Sequence, residues 1–293
     1  MSKESRRANR QRRGSENGIA QSPRFAATLN GVVPVDPNGA ILPIIREIDG
    51  GRSGQIIGTG FFVAHGLVIT AGHVVDVSVA DSSNKSEQLL DAPLWCVQII
   101  PGTNEYHWRP IVRAQRHTRS DIALCRLRPA VNEHGGPLGN PILRLSDHDP
   151  EIGTPVATYA HPDSRVRRRG TRVQMELRPH YYEGRIDDHF PNGRDSCVIT
   201  WPCFQTSIHI HGGASGGPVF DAVTGTVFGV CATSFEPYTD TSYVTKIHDA
   251  MGMPVSVGQT AGTLGSLTTT LGELNNQAAV IGSVLRPFGA VYK

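Results

Sequence analysis

The chain has 293 residues and a formal net charge of +2; 39% of its residues are hydrophobic and 18% charged, with 32 Gly and 20 Pro. That length holds one large domain or two of about 100–150 residues, and low charge with many turn formers favours an all-β or α+β globule over a helical bundle. No apolar run reaches the roughly 18–20 residues needed to span a bilayer, and the basic start leads into no apolar signal core, so neither a membrane partner nor export is expected. Five scattered cysteines (Cys96, Cys125, Cys197, Cys203, Cys231) without a C-x-x-C pair argue against a disulfide framework or a thiolate zinc site, and a reduced, cytoplasmic protein is the expectation.

The small net charge is a sum of unlike parts. Residues 1–25 carry seven basic groups (Lys3, Arg6, Arg7, Arg10, Arg12, Arg13, Arg24) against Glu4 and Glu16, or +5, and the other 268 residues carry 21 basic and 24 acidic groups, or −3. Residues 1–28 contain too few apolar side chains to offset their ordering entropy and are expected to be a disordered basic arm.

From about Gly31 short apolar runs alternate with Gly, Pro, Asn and Asp. Residues 55–63 (QIIGTGFFV), the pair His65-Gly66 and residues 67–70 (LVIT) predict two strands joined by a tight turn. Further strands are expected within 89–100, 121–127, 155–159, 172–177, 197–201, 204–210 and 226–232, a spacing that suits a sandwich or barrel. Trp95, Trp108 and Trp201 lie in this apolar text and are read as core residues. Leu264, Leu267, Leu271, Leu274, Ala278, Ile281 and Leu285 recur at spacings of 3 and 4, which predicts a C-terminal helix covering the barrel through one apolar stripe.

Three segments carry chemistry. Thr70-Ala71-Gly72-His73 follows a strongly apolar strand, Ser120-Asp121-Ile122-Ala123-Leu124 opens another, and Gly212-Gly213-Ala214-Ser215-Gly216-Gly217-Pro218 precedes the run Val219-Phe220. A serine hydroxyl attacks a carbonyl only if a neutral imidazole takes its proton, and a buried carboxylate must fix that imidazole's tautomer. The oxyanion that forms needs preorganised backbone N–H donors, which a Gly-rich bend around the serine supplies.

These segments resemble the His, Asp and Ser motifs of the chymotrypsin-fold (trypsin-like) serine peptidases, in that family's order and with separations of 48 and 94 residues. Ser120-Asp121-Ile122-Ala123 and Phe204-Gln205-Thr206 are similar to segments of its HtrA-type and bacterial trypsin-like branch. The resemblance implies an all-β fold of two six-stranded antiparallel barrels, here with a C-terminal helix. It divides the chain into the arm (1–28), a first barrel with the His and Asp (29–145), a second barrel with the Ser (146–253) and a helical tail (254–293). It implies a serine endopeptidase with His73, Asp121 and Ser215 as triad, Gly213 and Ser215 as oxyanion hole, a protein or peptide substrate, and no cofactor or metal.

The sequence also departs from the family. Ala214 stands where digestive relatives have an Asp that pairs with a freshly cut N-terminus, so zymogen-style activation is not expected. Val74 follows His73 where secreted relatives carry a disulfide cysteine, and no PDZ domain is expected after the barrel. The positions that line the family's specificity pocket hold His209, Ile210, Thr233 and Ser234, with His211 beside them. They lack the carboxylate that cleavage after Lys or Arg requires; a small or apolar residue is expected before the cut bond, ahead of an acidic one. A metal bound by His209 and His211 would lack a third ligand. Arg165, Arg167, Arg168, Arg169 and Arg172 are read as a basic loop which, with the N-terminal arm, is a candidate docking site for an acidic partner or nucleic acid. The competing reading is a catalytically silent or partner-activated peptidase fold that binds through these basic segments.

Overall fold

The computed structural model describes residues 27–29, 33–48, 53–76, 88–100, 103, 105–132, 134–169, 172–234, 241–257, 267–281 and 284–287. Its first strands, β1 (Ala27–Leu29) and β2 (Val33–Val35), pair antiparallel. Ala27 and Thr28, expected in the disordered arm, therefore belong to a strand. The rest of the arm lies outside the described residues.

The first barrel follows from β-branched, apolar text. Strands β3 (Ile41–Ile48), β4 (Ser53–Ala64) and β5 (Leu67–Thr70) lead into the one-turn helix α1 (Gly72–Asp76). They are followed by β6 (Gln88–Ile99), β7 (Tyr106–Arg116) and β8 (Ala123–Leu127). The β4–β5 hairpin turns at His65-Gly66, where Gly66 has a φ of +68° that a side chain would resist. The order β4-β3-β6-β7-β8-β5 closes because β5 pairs back onto β4, giving a six-stranded antiparallel barrel whose Phe61, Phe62, Ile44, Ile69 and Leu94 belong to one buried hydrophobic cluster.

A short strand β9 (Ile142–Leu143) lies in the connection to the second barrel. That barrel is built from β10 (Pro155–Ala160), then, after the excursion β11 (Arg165–Arg169) and β12 (Arg172–Glu176), from β13 (His180–Phe190), β14 (Cys203–Thr206), β15 (Pro218–Asp221), β16 (Val227–Ser234) and β17 (Ser242–Lys246). These close in the order β10-β13-β14-β17-β16-β15, again six-stranded and antiparallel. Phe204 and Phe228 meet edge to face at 5.3 Å in its core, and burying each such ring stabilises the barrel by roughly 2–3 kcal/mol. The expected double-barrel, chymotrypsin-like architecture is the one observed.

Three local expectations are corrected. The basic segment at 165–172 is a hairpin rather than a loop: Arg-Val-Arg alternation makes a strand with an outward charged face, and Val166 of β11 pairs with Gly54 of the first barrel. Residues 197–201 form no strand, because the Asp195 carboxylate accepts the N–H groups of Cys197 at 2.8 Å and Val198 at 2.6 Å and bends the chain there. The strand expected over 204–210 stops at Thr206; beyond it the Ile210 N–H is taken by the Ser242 hydroxyl at 3.0 Å.

The C-terminal segment contributes β18 (Pro254–Val257), β19 (Leu267–Thr270), the helix α2 (Leu271–Ile281) and β20 (Val284–Pro287). The helix is shorter than the apolar stripe suggested, since Leu267 belongs to β19 and Leu285 to β20, and Leu264 lies outside the described residues. Its start is fixed by a capping box: the Thr270 N–H donates to the Glu273 carboxylate and the Glu273 N–H to the Thr270 hydroxyl. Hydrogen bonds to the carboxylate, first from the Thr269 hydroxyl and then from the Thr270 N–H and hydroxyl, hold the Glu273 carboxyl below its usual range. Leu271, Leu274 and Ala278 pack on the first barrel's core, as a covering helix should. Buried Asn275 donates to the carbonyls of Val63 and Leu143 and accepts the Leu145 N–H, tying the helix to β4 and the inter-barrel connection. Strand β20 joins β1 and β9, so the order β2-β1-β20-β9 brings both ends of the described chain onto that connection.

Candidate active site

Three of the sequence-predicted residues sit at the seam between the barrels. His73 follows β5 on the first turn of α1, and Asp121 lies just before β8, the neighbour of β5 in the sheet. The pairing Thr70↔Ala123 brings the two segments together, and Asp121 grips His73 twice: Oδ2 lies 2.7 Å from Nδ1, and Oδ1 accepts the His73 N–H at 2.9 Å. The carboxylate side chain is 5% exposed and the imidazole 47%, so the ion is shielded while the ring meets solvent on its other side. The Arg116 guanidinium comes within 3.9 Å of Asp121 Oδ1, a neighbour that the sequence did not suggest.

Ser215 lies on the turn between residue 211 and β15. The turn is docked directly on the first barrel. A Cβ added to Gly216 would lie 2.1 Å from Thr70 Oγ1, 2.2 Å from Thr59 O and 2.9 Å from Ala71 N, two residues before His73. A Cβ on Gly58 would meet both Val74, 2.7 Å away, and the Ser215 carbonyl at 2.9 Å. Contact this close sets the Ser215–Gly216 backbone against Gly58, Thr59, Thr70 and Ala71 of the first barrel. The Ser215 hydroxyl donates its single proton to the Ala232 carbonyl at 3.2 Å.

Within the turn Gly213 has a φ of +91° and Gly216 a φ of +88°. The N–H groups of Ala214, Gly216 and Gly217 bond to the carbonyls of His211, Cys231 and Ala214. Those of Gly213 and Ser215 have no acceptor among the described residues. Uncommitted N–H donors on a glycine-rich bend are the type of group that receives negative charge. Ala214 is fully buried and brings no charge of its own.

Of the four residues expected to line a specificity pocket, Ile210 and Ser234 are brought into contact. Buried Ile210 and half-buried Ser234 are joined by the Ser234 hydroxyl, which donates to the Ile210 carbonyl at 2.6 Å, and Thr233 bonds to the Ser234 carbonyl at 3.3 Å. The His209 ring packs edge to face on that of His211 at 4.1 Å, with His209 Nδ1 buried and without a hydrogen bond among the described residues. The described residues contain no group of three or more His, Cys, Asp or Glu side chains arranged to hold a metal. Burial pushes the Cys231 thiol up to about 12, so it stays protonated beside the turn.

A cleft of about 750 Å³ opens beside Asp121, lined by Arg116, Arg119 and Ser120 from the first barrel and by Asn192, Trp201 and Asp249 from the second. Trp201, read from the sequence as a core residue, is half-buried on this wall and donates to the Thr245 hydroxyl at 2.9 Å. Two further residues escaped the sequence reading. Thr59 on β4 contacts the Ser215 turn, and His161 is fully buried between the barrels, where its Nε2 lies 3.2 Å from the Ile41 carbonyl. Burial pushes the His161 imidazole down to about 4.

A profile of the family described as "Trypsin-like peptidase domain" matches residues 58–230, a span that contains His73, Asp121 and Ser215. A search of curated proteins finds no match. Among solved structures the chain is similar to Rv3671c from M. tuberculosis H37Rv in an inactive form, with a TM-score of 0.47 and 17% identity over 74% of this chain and 85% of that one. The active form of the Rv3671c protease from M. tuberculosis gives a TM-score of 0.48 and 17% identity, covering 74% of this chain and 79% of that one. Among the described residues no helix is long and apolar enough to cross a membrane.

Proposed function

Because the chain belongs to the trypsin-like peptidase family, we propose that it is a serine endopeptidase whose triad is Ser215, His73 and Asp121. The observation that carries this reading is the double grip of Asp121 on His73, at 2.7 Å and 2.9 Å. An ionised carboxylate accepts only, so Nδ1 carries the ring proton and Nε2 is left with the lone pair a general base needs.

In the reaction the Ser215 hydroxyl gives up its bond to the Ala232 carbonyl and hands its proton to His73 Nε2 as Oγ attacks the substrate carbonyl. The new C–O bond pushes the carbonyl electrons onto oxygen, where the N–H groups of Gly213 and Ser215 receive them. Collapse of this intermediate expels the amine, which takes the proton from His73, and water repeats the cycle on the acyl-enzyme. Asp121 keeps the imidazole in one tautomer and stabilises its charged form.

His209, Ile210, Thr233 and Ser234 line the pocket for the residue before the cut bond. The Ser234–Ile210 hydrogen bond, 2.6 Å long, joins its two walls and favours a small or apolar side chain. The reading assigns the first barrel to residues 29–145, the second to 146–253 and the tail to 254–293. The Arg165–Arg172 segment and the basic arm are assigned a docking role for an acidic partner or nucleic acid, secondary to catalysis.

The test is hydrolysis of a peptide library by the wild-type chain and by Ser215→Ala and His73→Ala. The proposal predicts cleavage by the wild type alone. Cleavage of equal rate in all three contradicts the assigned triad, and binding of acidic ligands without any cleavage favours the binding-module reading.

A further inference from the structure

Thr59 is fully buried on β4, where the first barrel meets the Ser215 turn. Four hydrogen bonds converge on it. Its N–H donates to the Ser215 carbonyl at 2.8 Å, and its hydroxyl donates to the Gly213 carbonyl at 2.9 Å. The same hydroxyl oxygen accepts the His161 N–H at 3.1 Å, while the Thr59 carbonyl accepts the Thr70 hydroxyl at 2.7 Å. The direction of the Gly213 bond is fixed, because a backbone N–H can only donate and a carbonyl can only accept. The threonine proton has nowhere else to go.

This matters for the peptide planes around the nucleophile. The two uncommitted N–H groups belong to the units 212–213 and 214–215. The carbonyls that Thr59 holds belong to the units between and after them, 213–214 and 215–216. Anchoring alternate planes from one rigid residue leaves the donors little freedom to turn away. Without the hydroxyl, the 213–214 unit would lose its anchor on the first barrel, and Gly213 has no side chain to resist a change of backbone angles.

We propose that Thr59 is a positioning residue for peptide hydrolysis. From the first barrel it holds the carbonyls of Gly213 and Ser215, and so keeps the N–H groups of those two residues convergent on the developing oxyanion. The catalytic half of this inference rests on the peptidase reading above; the claim that Thr59 orders the turn does not. Donors aimed at charge that appears only in the transition state act on kcat rather than KM.

Thr59→Val removes the hydroxyl at nearly constant volume and Thr59→Ser keeps it; Thr59→Ala serves the same purpose should valine not be accommodated. The expected result for the variants without a hydroxyl is a fall in kcat of about 10- to 100-fold. KM should stay within about twofold, because ground-state binding is untouched. Affinity for a peptide aldehyde, whose adduct bears an oxyanion, should fall in step with kcat, and Thr59→Ser should restore both. Amide hydrogen exchange over residues 214–217 should accelerate in Thr59→Val and recover in Thr59→Ser. Unchanged kcat and aldehyde affinity in Thr59→Val, or a serine variant as slow as the valine one, overturns the proposal. So does unchanged exchange over 214–217, whatever the activity. If the wild type cleaves nothing while exchange follows the predicted pattern, the ordering role of Thr59 stands and the peptidase reading falls.

Discussion

Asp121 holds His73 by both of its oxygens, Oδ2 on the ring Nδ1 at 2.7 Å and Oδ1 on the main-chain N–H at 2.9 Å. One contact orients the ring and the other fixes the backbone that carries it. Asp121→Asn preserves the shape but can turn an amide N–H toward Nδ1, which favours the tautomer with its proton on Nε2 and disarms the base. We expect kcat to fall by about 10³–10⁴-fold with the fold intact, checked by steady-state kinetics beside a thermal melt. A loss under tenfold would mean that Asp121 does not set the tautomer.

Glycine is required at one end of the Ser215 turn and dispensable at the other. Gly216→Ala puts a methyl 2.1 Å from Thr70 Oγ1 and 2.2 Å from the Thr59 carbonyl, at a φ of +88°. Strain and overpacking together should lower unfolding free energy by about 2–4 kcal/mol and abolish cleavage. A Cβ on Gly212 meets nothing within 4 Å. Gly212→Ala should therefore change stability by no more than about 0.5–1 kcal/mol, so that similar denaturant midpoints for the two variants would refute this picture of the turn.

His161 links stability to pH. Its folded-state pKa is lowered from 6.5 to about 4, first by burial and further by the nearby His180, against the opposing effect of its bond to the Ile41 carbonyl. The unfolded chain therefore binds the extra proton. Stability is complete above pH 6.5 and is lost as the pH falls toward 4, by on the order of 2–3 kcal/mol from this group. Urea unfolding at pH 7 and pH 4.5 should show a larger drop for the wild type than for His161→Gln. An equal drop in the two proteins would remove His161 as the cause.

How much of this was legible beforehand depended on sequence distance. The β4–β5 hairpin declares itself through its apolar runs and the His65-Gly66 turn, and the triad segments stand out because each sets a reactive side chain in a short local motif beside an apolar strand. Strand β13 (HYYEGRIDDHF) was not legible: its charges fall on both faces, and it exists because β10 and β14 pair with it on either side. The apolar text at Val198 and Ile199 misled in the opposite sense, because the nearby Asp195 side chain competes for the backbone N–H groups. The limit of α2 could have been read from the capping box Thr270-Leu271-Gly272-Glu273. Thr59 could not, since its partner Gly213 is 154 residues away and only barrel docking makes them neighbours.

The pocket for the residue before the cut bond gives a prediction of specificity. Ser234→Gly deletes the hydroxyl that joins its walls at 2.6 Å and adds room beside Ile210. Cleavage-site profiling with a peptide library should move from small toward bulkier apolar residues before the cut. An unchanged profile would place the pocket elsewhere.

The central claim is that Ser215 is the nucleophile, and a fluorophosphonate that acylates only activated serines tests it most directly. Intact-mass and peptide-mapping measurements should find one adduct per chain, on Ser215, slowed in Asp121→Asn and absent in Ser215→Ala. No adduct on the wild-type chain, or an adduct that persists in Ser215→Ala, would contradict the account.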